Sequence, residues 1–323
     1  MHAIQITEHG SADVMRWVEL DDPTAAPGQV VVELGAAGLN FIDTYQRSGL
    51  YQVGLPYVLG LEGAGTVVEV GDGVDHLVVG DRVAWASTPG SYAERVAVPA
   101  AQSMKVPDGI DWEVAAAIPL QGMTAHYLAV DTYPLGPDDT CLIHAGAGGV
   151  GLLLIQIAKL RGAEVYTTVG TPEKAELAKA AGADHTVLYR DVDFAEAIRG
   201  IAGTERPLDV VYDGVGKSVF SQSLSLIRQR GMMVTFGNAS GPVDPVSPLD
   251  LSANGSIFLT RPTLFHYAST PDEIQARADD LFGWHAAGDL DVRIGERFAL
   301  ADAADAHRAL EGRATTGKVV LLP

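Results

Sequence analysis

Short β-branched runs punctuated by glycine dominate the first third of the chain. Val30-Val31-Val32-Glu33-Leu34 and Gly65-Thr66-Val67-Val68-Glu69-Val70 read as strands, as does Asp81-Arg82-Val83-Ala84-Trp85. Gly71-Asp72-Gly73 and Gly80-Asp81 mark turns. Many short strands without intervening helices predict a barrel-like, β-rich domain over residues 1–120. The pattern changes near Gln121, where strand and helix begin to alternate. Thr140-Cys141-Leu142-Ile143-His144 is a strand, Val150 to Arg161 an amphipathic helix, Glu164 to Val169 a strand and Pro172 to Ala181 a helix. Leu208 to Tyr212 and Met232 to Phe236 are further buried strands, and Ser256 to Thr260 a last one at an edge. Such alternation predicts a doubly wound parallel sheet covered on both faces, over residues 121–264. Beyond 264 helix and strand continue without a glycine motif, and the tail 265–323 is expected to rejoin the first domain.

Gly146-Ala147-Gly148-Gly149-Val150-Gly151 satisfies G-x-G-x-x-G. It directly follows a predicted strand and opens a predicted helix, the context that a dinucleotide site requires. The glycines let backbone N–H groups approach a pyrophosphate, and the helix N-terminus adds partial positive charge. An NAD enzyme places Asp or Glu at the end of the second strand to bind the ribose 2′-OH. Here that strand ends Thr167-Thr168-Val169-Gly170-Thr171, and Glu164 stands at its start. Lys174 follows in the first turn of the next helix, where a 2′-phosphate would sit. This pattern favours NADPH over NADH.

Composition narrows the partners. A net charge of −19 is unsuited to a nucleic-acid or anionic membrane surface. No apolar run reaches the length of a membrane span, and Met1 to Gly10 lacks the charged and apolar regions of a secretory signal, so a cytoplasmic location is expected. Cys141 is the single cysteine, which leaves no intrachain disulfide and no multi-cysteine zinc site.

Asn40-Phe41-Ile42-Asp43-Thr44-Tyr45, Arg47-Ser48-Gly49-Leu50-Tyr51, Gly148-Gly149-Val150-Gly151, Thr168-Val169-Gly170-Thr171, Val211-Tyr212-Asp213, Phe236-Gly237-Asn238, Thr260-Arg261-Pro262 and Arg313-Ala314-Thr315 run nearly end to end through the chain. Together they resemble the zinc-independent quinone oxidoreductase branch of the medium-chain dehydrogenase/reductase superfamily. The resemblance implies a GroES-like catalytic domain, a Rossmann domain with a cleft between them, and a homodimer joined edge to edge through the cofactor domains. It implies NADPH contacts from Asn40, Phe41 and Tyr45, from Thr124 and Tyr127, and from Gly148, Gly149 and Val150 of the glycine turn. Further contacts would come from Gly170, Thr171, Lys174 and Tyr189, with Lys174 and Tyr189 holding the 2′-phosphate. Gly214, Phe236, Gly237, Asn238 and Ala239, then Arg261, Thr263, Leu264 and Arg313, complete the implied set. Zinc-dependent relatives carry a cysteine where Asn40 falls and a Gly-His-Glu motif where this chain reads Gly60-Leu61-Glu62, so no metal is expected.

Without zinc, a substrate oxygen must be polarised by hydrogen bonds or by solvent. Quinones and conjugated enones suit such a site because they spread incoming charge themselves, while the protein supplies positioning and excludes water. Asn40, Asp43, Tyr45 and Glu62 are the candidate catalytic residues, with Tyr45 the candidate donor to a developing oxyanion. Tyr45 could equally line a cleft wall, and Asp43 and Glu62 could hold backbone or a neighbouring cation. Cys141, His126 and His144 read as fold residues. An NADPH-dependent quinone or enone reductase is therefore expected. The alternatives are a non-catalytic, crystallin-like NADPH-binding protein and an RNA-binding role, the latter opposed by the charge.

Overall fold

The computed structural model describes residues 1–323, which divide into two compact units. Met1–Met123, Tyr267–Ala286 and Val292–Pro323 form the first, and Thr124–His266 with Ala287–Asp291 the second. The five residues 287–291 depart from the expectation that the whole tail rejoins the first domain. The Gln156 side chain pins them, accepting from the Asp291 N–H (2.7 Å) and donating to the Asp291 carbonyl (3.0 Å).

In the first unit the strands are β1 (His2–Ile6), β2 (Arg16–Glu19), β3 (Gln29–Leu39), β4 (Tyr57–Val58), β5 (Gly63–Val70), β6 (Arg82–Trp85), β7 (Arg95–Pro99) and β8 (Ser103–Lys105). The second unit supplies β9 (Thr140–His144), β10 (Glu164–Val169), β11 (His185–Leu188), β12 (Leu208–Asp213), β13 (Ile227–Thr235) and β14 (Phe258–Thr260). The chain then adds β15 (Ile294–Ala299) and β16 (Lys318–Leu322) to the first unit. The helices in chain order are α1 (Phe41–Ser48), α2 (Trp112–Ala115), α3 (Met123–Tyr127), α4 (Gly149–Leu160), α5 (Pro172–Ala180), α6 (Phe194–Ala202), α7 (Phe220–Leu226), α8 (Pro248–Ala253), α9 (Leu264–Tyr267), α10 (Pro271–Ala287) and α11 (Ala303–Glu311).

The larger sheet of the first unit runs β15-β16-β3-β5-β6-β8, with β7 also paired to β3, and a small sheet runs β2-β1-β4. The inward positions of β3, β5, β6 and β7 meet those of β1 and β16 in one core, including Ile4, Val30, Val32, Val67, Trp85 and Leu321. Arg47 is 3% exposed, and each of its three nitrogens is hydrogen-bonded. It donates to Gly10 O (3.1 Å), to His307 Nδ1 (3.0 Å) and to Glu311 Oε1 (2.7 Å), tying α1 to α11. A guanidinium only donates, so His307 Nδ1 must be an unprotonated acceptor. Burial accordingly holds the His307 pKa down at about 3, with the Arg47 charge adding to it.

The second unit is one six-stranded sheet, ordered β11-β10-β9-β12-β13-β14 and parallel throughout. Its central strands β9 and β12 are buried along nearly their whole length, as a sheet covered on both faces demands. Helix α4 departs from the amphipathic pattern expected of it. Leu152, Leu153, Leu154, Ile155, Ile157 and Ala158 are all buried, because α4 lies on β9 and β10 and also meets α5 and the turn over Leu128–Thr132. A helix packed on several sides is apolar around most of its circumference. The edge strand starts later than its sequence suggests. Ser256 takes a left-handed φ of 58° and Ile257 turns into the core, which leaves β14 with Phe258 61% exposed. Strand β11 escapes the sequence pattern because His185-Thr186-Val187-Leu188 is too short and mixed to show a period.

Candidate active site

Apart from Thr124 and Tyr127 in α3, the segments of the second unit expected to meet a cofactor lie past the carboxyl ends of parallel strands. The Gly146–Gly151 turn follows β9, Gly170 and Thr171 follow β10, Tyr189 follows β11 and Gly214 follows β12. Phe236 to Ala239 come after β13, and Arg261, Thr263 and Leu264 after β14. In open parallel sheets this is the rim where ligands bind. The glycine turn is set by close packing. A Cβ on Gly151 would lie 2.4 Å from Ala145 O, and one on Gly146 would lie 2.0 Å from Thr167 Oγ1. Helix α4 opens there with Gly148 as N-cap and no side-chain cap, so its first N–H groups are available to an anion.

At the end of β10 the Thr171 hydroxyl caps α5 by accepting from Lys174 N–H at 3.3 Å. That holds Lys174 in the first helical turn beside Gly170. A Cβ placed on Gly170 would lie 3.1 Å from the Tyr189 hydroxyl and 3.3 Å from Arg190 Nε. A tyrosine hydroxyl and an arginine thus meet at the strand end, with Lys174 in the helical turn that follows it and Glu173 bonded to Thr171. Arg190 was not anticipated, because the unrecognised β11 hid its place at a strand end. Further along the rim, Asp213 is buried. Its Oδ1 accepts from the N–H groups of Val215 (2.7 Å) and Gly216 (2.8 Å), while its Oδ2 has no protein partner. Burial raises the Asp213 pKa to about 6 against those two hydrogen bonds. Arg261 donates to Gly237 O at 3.3 Å, bringing two expected contact residues together. Thr124 and Tyr127 are buried in α3.

His144 sits at the end of β9 between Thr168 and Ser223, 2.8 Å from each hydroxyl. Ser223 Oγ donates to Val219 O at 2.8 Å, so it must accept from His144 Nε2–H, which leaves Nδ1 to accept from Thr168. With both nitrogens satisfied and burial holding its pKa at about 3, His144 is a neutral fold residue. Cys141 is likewise buried, and burial pushes its thiol up.

The first unit holds the other candidates. Asn40 ends β3 and precedes α1, and it lies in a buried polar cluster. Asn40 Nδ2 donates to Glu62 Oε2 (2.8 Å) and Gly38 O (3.3 Å). Asn40 Oδ1 accepts from Lys318 Nζ (3.0 Å) and Gln121 Nε2 (2.9 Å). Glu62 is fully buried. Its Oε2 also pairs with Lys318 Nζ, and its Oε1 accepts from Leu120 N–H at 2.5 Å. Lys318 is 2% exposed, and burial pushes its ammonium below the usual lysine range while Glu62 pulls it back. The packing here admits no extra carbon. A Cβ on Gly38 would lie 2.2 Å from Glu62 Oε2. Gly60 has φ +89° and lies against the Tyr92 ring, which no side chain at that position would permit.

Asp43 is also buried, with Oδ2 accepting from Asn40 N–H (2.8 Å) and from the Tyr92 hydroxyl (2.8 Å). It closes the first turn of α1, and burial raises its pKa to about 7. Glu62 and Asp43 therefore hold a cation, two N–H groups, an amide and a phenol. Tyr45 is half-buried and stands in an aromatic row, 5.3 Å from Tyr51 and 6.2 Å from Phe41 between ring centres. Arg313 lies on the surface with a left-handed φ of 56°. Lys318 escaped the sequence reading. Its one signal is a charged residue opening the apolar run Val319-Val320-Leu321-Leu322.

Residues 26–108 match the family model described as alcohol dehydrogenase GroES-like domain, and residues 149–281 match that described as zinc-binding dehydrogenase. Over 322 residues the chain is 47% identical to a quinone oxidoreductase of Pseudomonas aeruginosa, covering 99% of both chains. The chain belongs to the quinone oxidoreductase family. A 2-haloacrylate reductase of a Burkholderia species is 42% identical over 99% of this chain and 98% of its own. The crystal structure of Escherichia coli quinone oxidoreductase complexed with NADPH superposes with a TM-score of 0.98 at 41% identity, covering all of both chains. The β-rich GroES-like and Rossmann-type architecture expected from sequence is thereby shown. One matched description names zinc, and the residues here do not fit that ion. Leu61 is apolar and 3% exposed, the Asn40 amide is fully hydrogen-bonded, and the Glu62 carboxylate is committed to Lys318.

Proposed function

We propose that this chain is an NADPH-dependent reductase that passes hydride to quinones or small conjugated carbonyls without zinc. The observation that carries the reading is the rim of the six-stranded sheet. There a glycine turn opens a helix, and at the end of the next strand the Tyr189 hydroxyl and Arg190 Nε lie against Gly170, Lys174 stands in the helical turn that follows, and Thr167 to Thr171 include no carboxylate. That arrangement suits a pyrophosphate and a 2′-phosphate. The relatives named for quinone and haloacrylate reduction, and the one crystallised with NADPH, support the same chemistry.

When bound, the reduced nicotinamide supplies a hydride. The chain's own residues do the rest. Backbone N–H groups at the start of α4 receive the pyrophosphate, and Lys174 and Arg190 neutralise the 2′-phosphate. The Tyr45 hydroxyl donates to the substrate oxygen that gains charge, and Phe41 and Tyr51 hold its ring in place. Asn40, Asp43 and Glu62 act from behind, fixing the start of α1 on which Tyr45 rides. A cytoplasmic setting supplies the NADPH this reading needs. Two copies pair through β14, whose outward Phe258 leaves an apolar edge. Light scattering at micromolar concentration checks that dimer, and a monomer would contradict it.

The deciding experiment follows NADPH oxidation against a panel of quinones and enones, with NADH in parallel and with a chelator present. Turnover with NADPH, weak use of NADH and no effect of the chelator are expected. NADPH binding without turnover on any acceptor would instead make the chain a carrier of the cofactor.

A further inference from the structure

The cluster around Asn40 has a direction. Side-chain amides are ordinarily ambiguous, since their oxygen and nitrogen ends can exchange. Here charged groups remove the ambiguity. Lys318 can only donate and the Glu62 carboxylate can only accept. Lys318 Nζ lies 3.0 Å from one end of the Asn40 amide and Glu62 Oε2 lies 2.8 Å from the other, so the first end is oxygen and the second nitrogen. The Asn40 oxygen then requires a donor from Gln121 at 2.9 Å, which must be Nε2. The remaining end of Gln121 is fixed as well: Oε1, an acceptor, is buried with no protein partner. Leaving a buried acceptor unmatched costs about 1–3 kcal/mol, so such atoms ordinarily face a ligand or an ordered water. Gln121 also lies in a π-type turn, Ile118–Gly122, a local geometry frequent at functional sites. The same Glu62 clamps that turn through Leu120 N–H.

We propose that the Lys318–Glu62 ion pair sets the polarity of a two-amide chain, Asn40 then Gln121, whose end is an acceptor-only contact for an O–H or N–H group of the ligand. The inference rests on the reductase reading above, which places the start of α1 at the reacting site. Lys318 and Glu62 are positioning residues, and Gln121 makes the contact. In the proposed reaction two ligands carry suitable donors. One is NADPH, through its ribose hydroxyls and carboxamide. The other is the hydroquinone product, whose O–H groups the quinone lacks. The site would favour the reduced ring over the oxidised one and would disfavour a ring with methylated oxygens.

The test uses Gln121→Leu, which removes the acceptor from a partly exposed position, with Gln121→Met as a second variant of closer shape. One arm measures NADPH affinity by fluorescence titration. The other compares inhibition by 1,4-hydroquinone with binding of its dimethyl ether, which has the same ring and no donor. Loss of one neutral hydrogen bond predicts about a 3- to 10-fold weakening. A change confined to NADPH assigns the donor to the cofactor. Loss of the preference for hydroquinone over its ether assigns it to the product. The double variant Lys318→Met/Glu62→Gln, which removes both charged groups that orient the amides, should shift the same arm in the same direction by freeing both amides to turn over, with binding of the ether unchanged. Wild-type protein that neither binds NADPH nor reduces a quinone would overturn the reductase reading itself. Wild-type protein that does both, with both Gln121 variants indistinguishable from it in both arms, would overturn the acceptor assignment alone.

Discussion

Lys318 and Glu62 make a buried ion pair whose energetics can be worked from its contacts. Lys318 is 2% exposed and Glu62 0%, so neither charge has recourse to water. In Lys318→Met the Glu62 carboxylate keeps the Asn40 amide at 2.8 Å and Leu120 N–H at 2.5 Å but loses its only cation. Stranding one charge of a buried pair costs about 3–5 kcal/mol. The double variant Lys318→Met/Glu62→Gln removes both charges and keeps the shape, and such exchanges are often close to neutral. The single variant should therefore be much less stable than wild type, and the double variant should recover most of the loss. Equilibrium urea unfolding reads both, provided the midpoints shift at constant slope. A double variant no more stable than Lys318→Met, or a single variant within about 1 kcal/mol of wild type, would refute the account of a mutually dependent pair.

Lys174→Ala and Arg190→Ala should each weaken NADPH by roughly one to two decades and barely touch NADH, since each charge-assisted contact contributes about 1.5–3 kcal/mol. Isothermal titration with both cofactors checks this, and equal losses would remove the phosphate assignment. Tyr45→Phe should lower kcat by about tenfold at nearly constant NADPH affinity, less than the 10²–10³ seen for a dedicated oxyanion donor, because a quinone spreads its own charge. Stopped-flow hydride transfer measures it, and enones should suffer more than quinones. Stability against pH should be nearly flat between pH 8 and 5. His144 and His307, depressed to about 3, bind protons only in the unfolded chain and each lose about 2 kcal/mol on acidification to pH 5. Asp43 and Asp213, raised to about 7 and about 6, bind protons first in the folded chain and return about 3 and about 1 kcal/mol over the same range. Asp43→Asn should unmask the histidines, giving an acid loss of about 3 kcal/mol by urea titration; a profile still flat would discard this balance.

What the sequence discloses here is what is local. The glycine turn, the strands around it and the missing carboxylate after Val169 all lie within thirty residues and obey short periods. Tyr189 came from resemblance alone, because the strand that delivers it, β11, is too short and mixed to show a period. Arg190 went unseen for the same reason. The buried cluster was half legible. Asn40, Asp43 and Glu62 are named through the family resemblance, but their partners Tyr92, Gln121 and Lys318 lie 49, 81 and 256 residues from the groups they meet. No local pattern reports a pairing that only β-sheet topology creates. Helix α4 fits an amphipathic pattern in sequence because its two burying faces cannot be separated by a single period.

Strand β16 completes a sheet whose other members, β3 and β5, are made near the start of the chain. During synthesis the six-stranded sheet of the second unit emerges whole before β16 exists. Until then the groove beside β3 has no neighbour, and Glu62 is a carboxylate without its cation. The larger sheet of the first unit therefore cannot be completed until every strand of the second has been made, although most of the first unit is translated earlier. Lys318 thus joins a strand made late to a carboxylate made early, and the sheet and its buried charge pair are closed by the same segment.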